Sequence, residues 1–226
     1  MTFRELREIR PEAFQTAAAS WRALVQAVRA HATGLGRHTE SLAGAWEGPA
    51  YQAATAHLAG QQRDLAGDAD RMAEVAEILT AHATRLAEAK AELQAAQRAE
   101  EHIRRAVAAL PPTARLERLL FGTAPCADAT VPGPEGRVNV SREYWLRGLP
   151  KENNRAYFDT LYEFWTRNGY RVLSDDRANR ESMYLWVEHT GDSFRLSIQS
   201  NDYGDLSIGA DSPCIWPKGT PEPEEP

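Results

Sequence analysis

Gly44-Ala45-Trp46-Glu47-Gly48-Pro49 is the stretch on which the reading of the fold turns. Gly48 can take a left-handed backbone conformation, and proline is tolerated at the first position of a helix, where its missing N–H costs nothing. On both sides apolar residues recur every seven positions, the spacing that keeps one seam of a helix against a neighbouring helix. Upstream these are Phe14, Trp21, Val28, Leu35 and Leu42. Downstream they are Leu58, Leu65, Met72, Leu79, Leu86 and Leu93, resuming at Val107, with Ala69, Ala76 and Ala83 in the other seam position. The pattern predicts an antiparallel helical hairpin, its first helix running from near Pro11 to near Gly44 and its second from Pro49 to the Pro111-Pro112 pair. Gly60 and Gly67 are tolerated within the second helix, and Phe3, Leu6 and Ile9 suggest a short leading turn.

At 1.5 Å rise per residue the second helix extends about 90 Å and the first about half as far. Folded back from the turn, Phe14 reaches no further than about Leu86. Leu93, Ile103, Val107 and Leu110 therefore need another surface, and the first three become candidates for contact with a partner. Trp46 is expected to plug the end of the hairpin core while Gly48 permits the reversal, so neither is assigned a catalytic role.

Trp46-Glu47-Gly48, followed by Ala50, Ala53 and Ala54 and set between two amphipathic helices, resembles the W-x-G signature of the WXG (ESX-like) proteins of bacterial type VII secretion. The resemblance implies that the hairpin pairs with a second WXG-type hairpin, of its own or of a related chain, into a four-helix bundle. It also implies association with the type VII secretion machinery and export to the cell surface or medium without a cleavable signal peptide. The family's export signal, Tyr-x-x-x-Asp/Glu after the second helix, is missing there. Its one match, Tyr184-Leu185-Trp186-Val187-Glu188, lies in a strand-like stretch, so either a partner supplies the signal or the chain stays in the cytoplasm.

Beyond the double proline, Leu116, Leu119, Leu120 and Phe121 predict one short helix, and the Ala-, Pro- and Gly-rich residues 122–137 read as linker. From Pro150 a helix places Tyr157, Phe158, Leu161, Tyr162 and Trp165 on one face, closed by Asn168-Gly169. Strand signals follow at Tyr170 to Leu173, Met183 to Glu188, Phe194 to Gln199 and Leu206 to Ile208, separated by Asp/Asn/Gly turns. The fold class is thus α+β in two domains: a hairpin (residues 1–110), a linker with a short helix (111–137), a small domain with one helix on an antiparallel sheet of about four strands (138–216), and a disordered acidic tail (217–226). Alternation leaves Tyr184, Trp186, Arg195, Ser197, Gln199 and Ser207 on the uncovered face, of which Tyr184, Trp186 and Arg195 are candidates for partner recognition. This half resembles small secreted or lipid-anchored actinobacterial domains that end in a stretch like Gly-Asp-Leu-Ser-Ile-Gly-Ala-Asp-Ser-Pro-Cys-Ile-Trp-Pro, here residues 204–217, a resemblance that implies no known chemistry.

A net charge of -6 without a basic stripe argues against general nucleic-acid binding. No apolar run approaches the roughly 20 residues of a membrane span, and the N-terminus lacks the apolar core of a signal peptide. Cys126 and Cys214 are either idle thiols or a staple between linker and domain, and a pair at the two margins of one small domain is what an oxidising compartment uses. Catalytic groups are not found: His189 could act with Glu188 or Asp192, but reads as a surface residue beside a turn. His31, His38, His57, His82 and His102 read as surface residues of the long helices, no metal-ligand spacing occurs, and no cofactor is expected. The sequence is read as a non-enzymatic, secretion-associated protein that associates through its hairpin. Two alternatives are a secreted effector with an enzymatic C-terminal domain and a cytosolic coiled-coil interaction protein.

Overall fold

The computed structural model describes residues 8–42, 46–126, 136–179 and 181–218. The expected turn at Phe3 and Leu6, the middle of the linker, nearly all of the acidic tail and the side chain of Leu42 lie outside them. The chain divides into two compact units, Met1–Ala87 and Glu88–Pro226. The division falls inside the second long helix, well before the boundary expected at residue 110.

In the first unit, α1 (Pro11–Leu42) is followed after the W-x-G turn by α2 (Pro49–Val107), which continues beyond the unit. Gly48 has φ +104°, the left-handed conformation that the reversal requires. Arg22 pairs with Glu77 at 3.4 Å and Arg29 with Asp70 at 2.9 Å, a register that only antiparallel helices satisfy. The innermost residues are small: Ala18, Val25 and Ala32 of α1, and Ala69, Ala76 and Ala83 of α2. Phe14, Trp21, Val28 and Leu35, like Leu58, Leu65, Met72, Leu79 and Leu86, alternate with them at spacings of three and four and are only half-buried. Two helices cover the centre of a seam; large side chains reach past the partner helix and keep one flank in water. Trp46 departs from its expected role as a plug, since it is 46% exposed, with its ring edge-on to that of Tyr51 at 6.3 Å.

The second unit is a six-stranded antiparallel sheet in the order β1-β2-β6-β5-β4-β3, two strands more than expected. The strands are β1 (Arg115–Pro125), β2 (Val138–Arg147), β3 (Tyr170–Asp175), β4 (Tyr184–His189), β5 (Arg195–Ser200) and β6 (Leu206–Asp211). The short helix expected over Leu116 to Phe121 is therefore strand β1, paired with β2 along its length and bulged between Arg118 and Leu120. Its Gly122 and Pro125 obscure the strand pattern, yet an edge strand tolerates both because its outer groups need no partner. Cys126 closes the base of this β-hairpin through its N–H to the Arg137 carbonyl and is joined by a disulfide to Cys214, beside the bridge from Val138 to Ile215.

One face of the sheet is covered by α3 (Asn154–Arg167), entered through a short 3-10 turn (Lys151–Asn153), and by the last turns of α2. Tyr157, Phe158, Leu161 and Trp165 from α3, and Ala99, Ile103, Ala106 and Leu110 from the α2 side, enclose Leu185, Val187, Leu196, Ile198, Leu206 and Ile208. For Ile103, Val107 and Leu110 the surface expected to await an external partner is thus filled by the core beneath the chain's own sheet, and Leu93 is buried as well. Sequence spacing showed that these residues lacked a partner within the hairpin, but not that the partner lay 80 to 100 residues further along. Among the described residues, no helix is long and apolar enough to cross a membrane.

Candidate functional site

At the end of the sheet where β3 begins and β4 ends, four elements deliver polar side chains to one point. The register pairs Tyr170 with His189, so their rings lie 4.8 Å apart on adjacent strands. The turn from β4 to β5 closes through the Ser193 N–H to the His189 carbonyl, with Ser193 at φ +59°, and this swings Asp192 back over the strand. The α2 helix contributes Arg98 and His102, the latter on the same face as Ala99 and Ala106 and only 1% exposed.

Asp192 is the hub. Its Oδ2 accepts from Arg98 Nε at 2.7 Å and from His102 Nε2 at 3.0 Å, and its Oδ1 accepts from His189 Nδ1 at 2.6 Å. With Nε2 of His102 donating, its Nδ1 is the acceptor for the Tyr170 hydroxyl at 2.6 Å. Burial alone would raise the Asp192 carboxyl, but the hydrogen bonds from Arg98, His189 and His102 outweigh it and hold the group far below the usual carboxylate range. Burial lowers His102 against the pull of Asp192, and burial raises the Tyr170 phenol. Phe194 stacks on the His102 ring at 5.2 Å, closing the apolar side of the cluster. The ligand-capable atoms of His102, His189 and Asp192 all lie within 4.8 Å of one another.

This cluster corrects two expectations. His102 is buried inside the second unit and is not a surface residue of a coiled coil. His189, 16% exposed, is tied to Asp192 and does not stand beside its turn as an isolated ring. Glu188, the other acid considered for it, points to the opposite face and accepts from Arg171 at 2.7 Å and Arg195 at 3.0 Å. One sequence signal for His102 existed: it continues the helical face of Ala95 and Ala99 beyond the reach of α1.

Tyr184, Trp186 and Arg195 do share the uncovered face. Successive cross-strand neighbours there run Trp186, Ser197, Gly209, Glu143, and in the next row Glu188, Arg195, Asp211, Ser141. Arg195 lies over the Trp186 ring at 5.4 Å, and Glu143 accepts from Gln199 and Ser207. A cavity of about 710 Å³ opens between Trp186, Arg195, Arg137 and the disulfide.

On the hairpin, Arg22 and Arg29 form their ion pairs along one flank of the seam. By heptad position the other flank carries Leu24, Val75 and Ile78, which are 45%, 36% and 57% exposed. The antiparallel register sets Leu24 level with Val75, beside the half-buried Trp21 and Leu79, while Ile78 also borders a groove lined by Asp70, Glu74 and Glu77. Compared with known proteins, the sequence matches no family model and no curated protein.

Proposed function

We propose that this chain is a non-enzymatic interaction protein that binds a second helical hairpin through the exposed seam of its own, in the manner of the WXG proteins of type VII secretion. The observation that carries this reading is the exposure of the large apolar side chains Leu24, Val75 and Ile78 beside a seam whose own large residues are only half-buried from Phe14 to Leu35. A surface with this repeat is complemented best by helices of the same repeat, because knobs then meet holes along its whole length. The W-x-G turn supports the secretion-linked form of the reading, and the Cys126–Cys214 disulfide supports an oxidising destination.

Light scattering coupled to size exclusion tests the association. The wild-type chain, of 25.1 kDa, is expected to run as a dimer or to form a one-to-one complex with a hairpin protein encoded beside it. Leu24→Glu combined with Ile78→Glu is expected to abolish either assembly while leaving the helical circular dichroism intact. A wild type that stays monomeric both alone and with such hairpin proteins would overturn the proposal.

A further inference from the structure

We propose that His102, His189 and Asp192 form a binding site for one divalent transition-metal ion of the zinc class. The inference does not rest on the hairpin reading, since all three residues belong to the second unit. Two imidazoles and one carboxylate are a ligand set that such ions accept with a coordination position left open for water or a further ligand. Ligands about 2.0–2.2 Å from one ion must lie roughly 3–4 Å from one another, which small movements of these side chains reach once the ion replaces the protons between them. Here one ligand atom of each residue lies within 4.8 Å of the other two, Asp192 Oδ1 being 2.6 Å from His189 Nδ1 and Oδ2 3.0 Å from His102 Nε2, on side chains delivered by a helix, a strand end and a tight turn.

The surroundings also suit a ligand site. Tyr170 Oη is 2.6 Å from the far nitrogen of His102, the outer hydrogen bond that orients a metal-bound histidine. When the ion binds, each ring proton moves to the nitrogen facing away from it, and Tyr170 turns from donor to acceptor. Arg98 remains on Asp192 Oδ2, which leaves Oδ1 for the ion. The burial of His102 and the partial exposure of His189 define a site closed on the core side and reachable from water on the other.

The rival is a purely structural network in which Asp192 simply satisfies three donors, and metal titration of the chelator-stripped full chain separates the two. Cobalt(II) is expected to saturate at one equivalent with visible d–d absorption and to be displaced by zinc. His189→Gln is expected to abolish this uptake, Tyr170→Phe to weaken it about tenfold, and His31→Gln to leave it unchanged. Because His189→Gln could disturb the turn, nitrogen NMR of the wild type provides the second readout. Of the six histidines, the rings of His102 and His189 alone should shift on zinc addition. No saturable uptake, uptake indifferent to His189→Gln, or shifts confined to other histidines would each overturn the proposal.

Discussion

Replacing Ile103 by alanine separates the two halves of α2 by experiment. Ile103 is fully buried in the core beneath the sheet, between Ala99 and Ala106, where its neighbours are too short to fill a void. The substitution removes three carbons, worth about 0.8 kcal/mol each in transfer from water. The cavity left behind adds roughly 1 kcal/mol, for a loss of about 3–4 kcal/mol, within the range of about 2–5 observed for such truncations. At about 3 °C per kcal/mol for a domain of this size, the melting temperature falls by near 10 °C. Urea unfolding followed by tryptophan fluorescence is the assay, because Trp165 is fully buried in the same core and reports its opening. The variant should keep the oligomeric state of the wild type, whereas Ile78→Glu should change assembly and leave this transition in place. A loss below about 1 kcal/mol for Ile103→Ala, or a loss of assembly in that variant, would refute the assignment of Ile103 to the sheet core.

Reduction of the Cys126–Cys214 bond, or Cys126→Ser, opens a loop spanning 88 residues. It should cost up to about 4 kcal/mol, read as a lower urea midpoint under reducing conditions; equal midpoints would count against a stabilising bond. Gly148, at φ +76°, has the carbonyl oxygen of Thr113 2.3 Å from where a Cβ would stand, whereas nothing crowds Gly60 inside α2. Gly148→Ala is therefore expected to lose about 2 kcal/mol or more, and Gly60→Ala to gain about 0.5–1 kcal/mol, both by thermal melting. Burial and a hydrogen bond to Glu100 push the Tyr144 phenol up from 10.0 to about 12. Its folded value being the higher one, its contribution to stability is complete below pH 10.0 and is lost as pH climbs toward 12. Ultraviolet phenolate titration of wild type against Tyr144→Phe should show the late portion of the curve shrinking; loss of a portion near pH 10.0 instead would contradict the shift.

The hairpin was legible in the sequence because its determinants are local. A seven-residue repeat places side chains on one seam whatever the rest of the chain does, and Gly48 with Pro49 marks the reversal within two residues. The helix α3 and the four strands after it were readable for the same reason, from the apolar face ending at Trp165 and the alternation of β4 and β5. Strand β1 was not, because Gly122 and Pro125 look like linker residues until a neighbouring strand makes them an edge.

The candidate site was still less accessible to sequence reasoning. His102 and Asp192 stand 90 residues apart, and what brings them together is the choice of which α2 face docks on the sheet and the register that sets Tyr170 beside His189. Sequence alone determined the two long helices, α3 and the strands β3 to β6, since backbone propensity and side-chain period act over a few residues. Tertiary structure alone decided what the end of α2 covers and which polar groups it buries, because that outcome depends on packing surfaces assembled from distant parts of the chain.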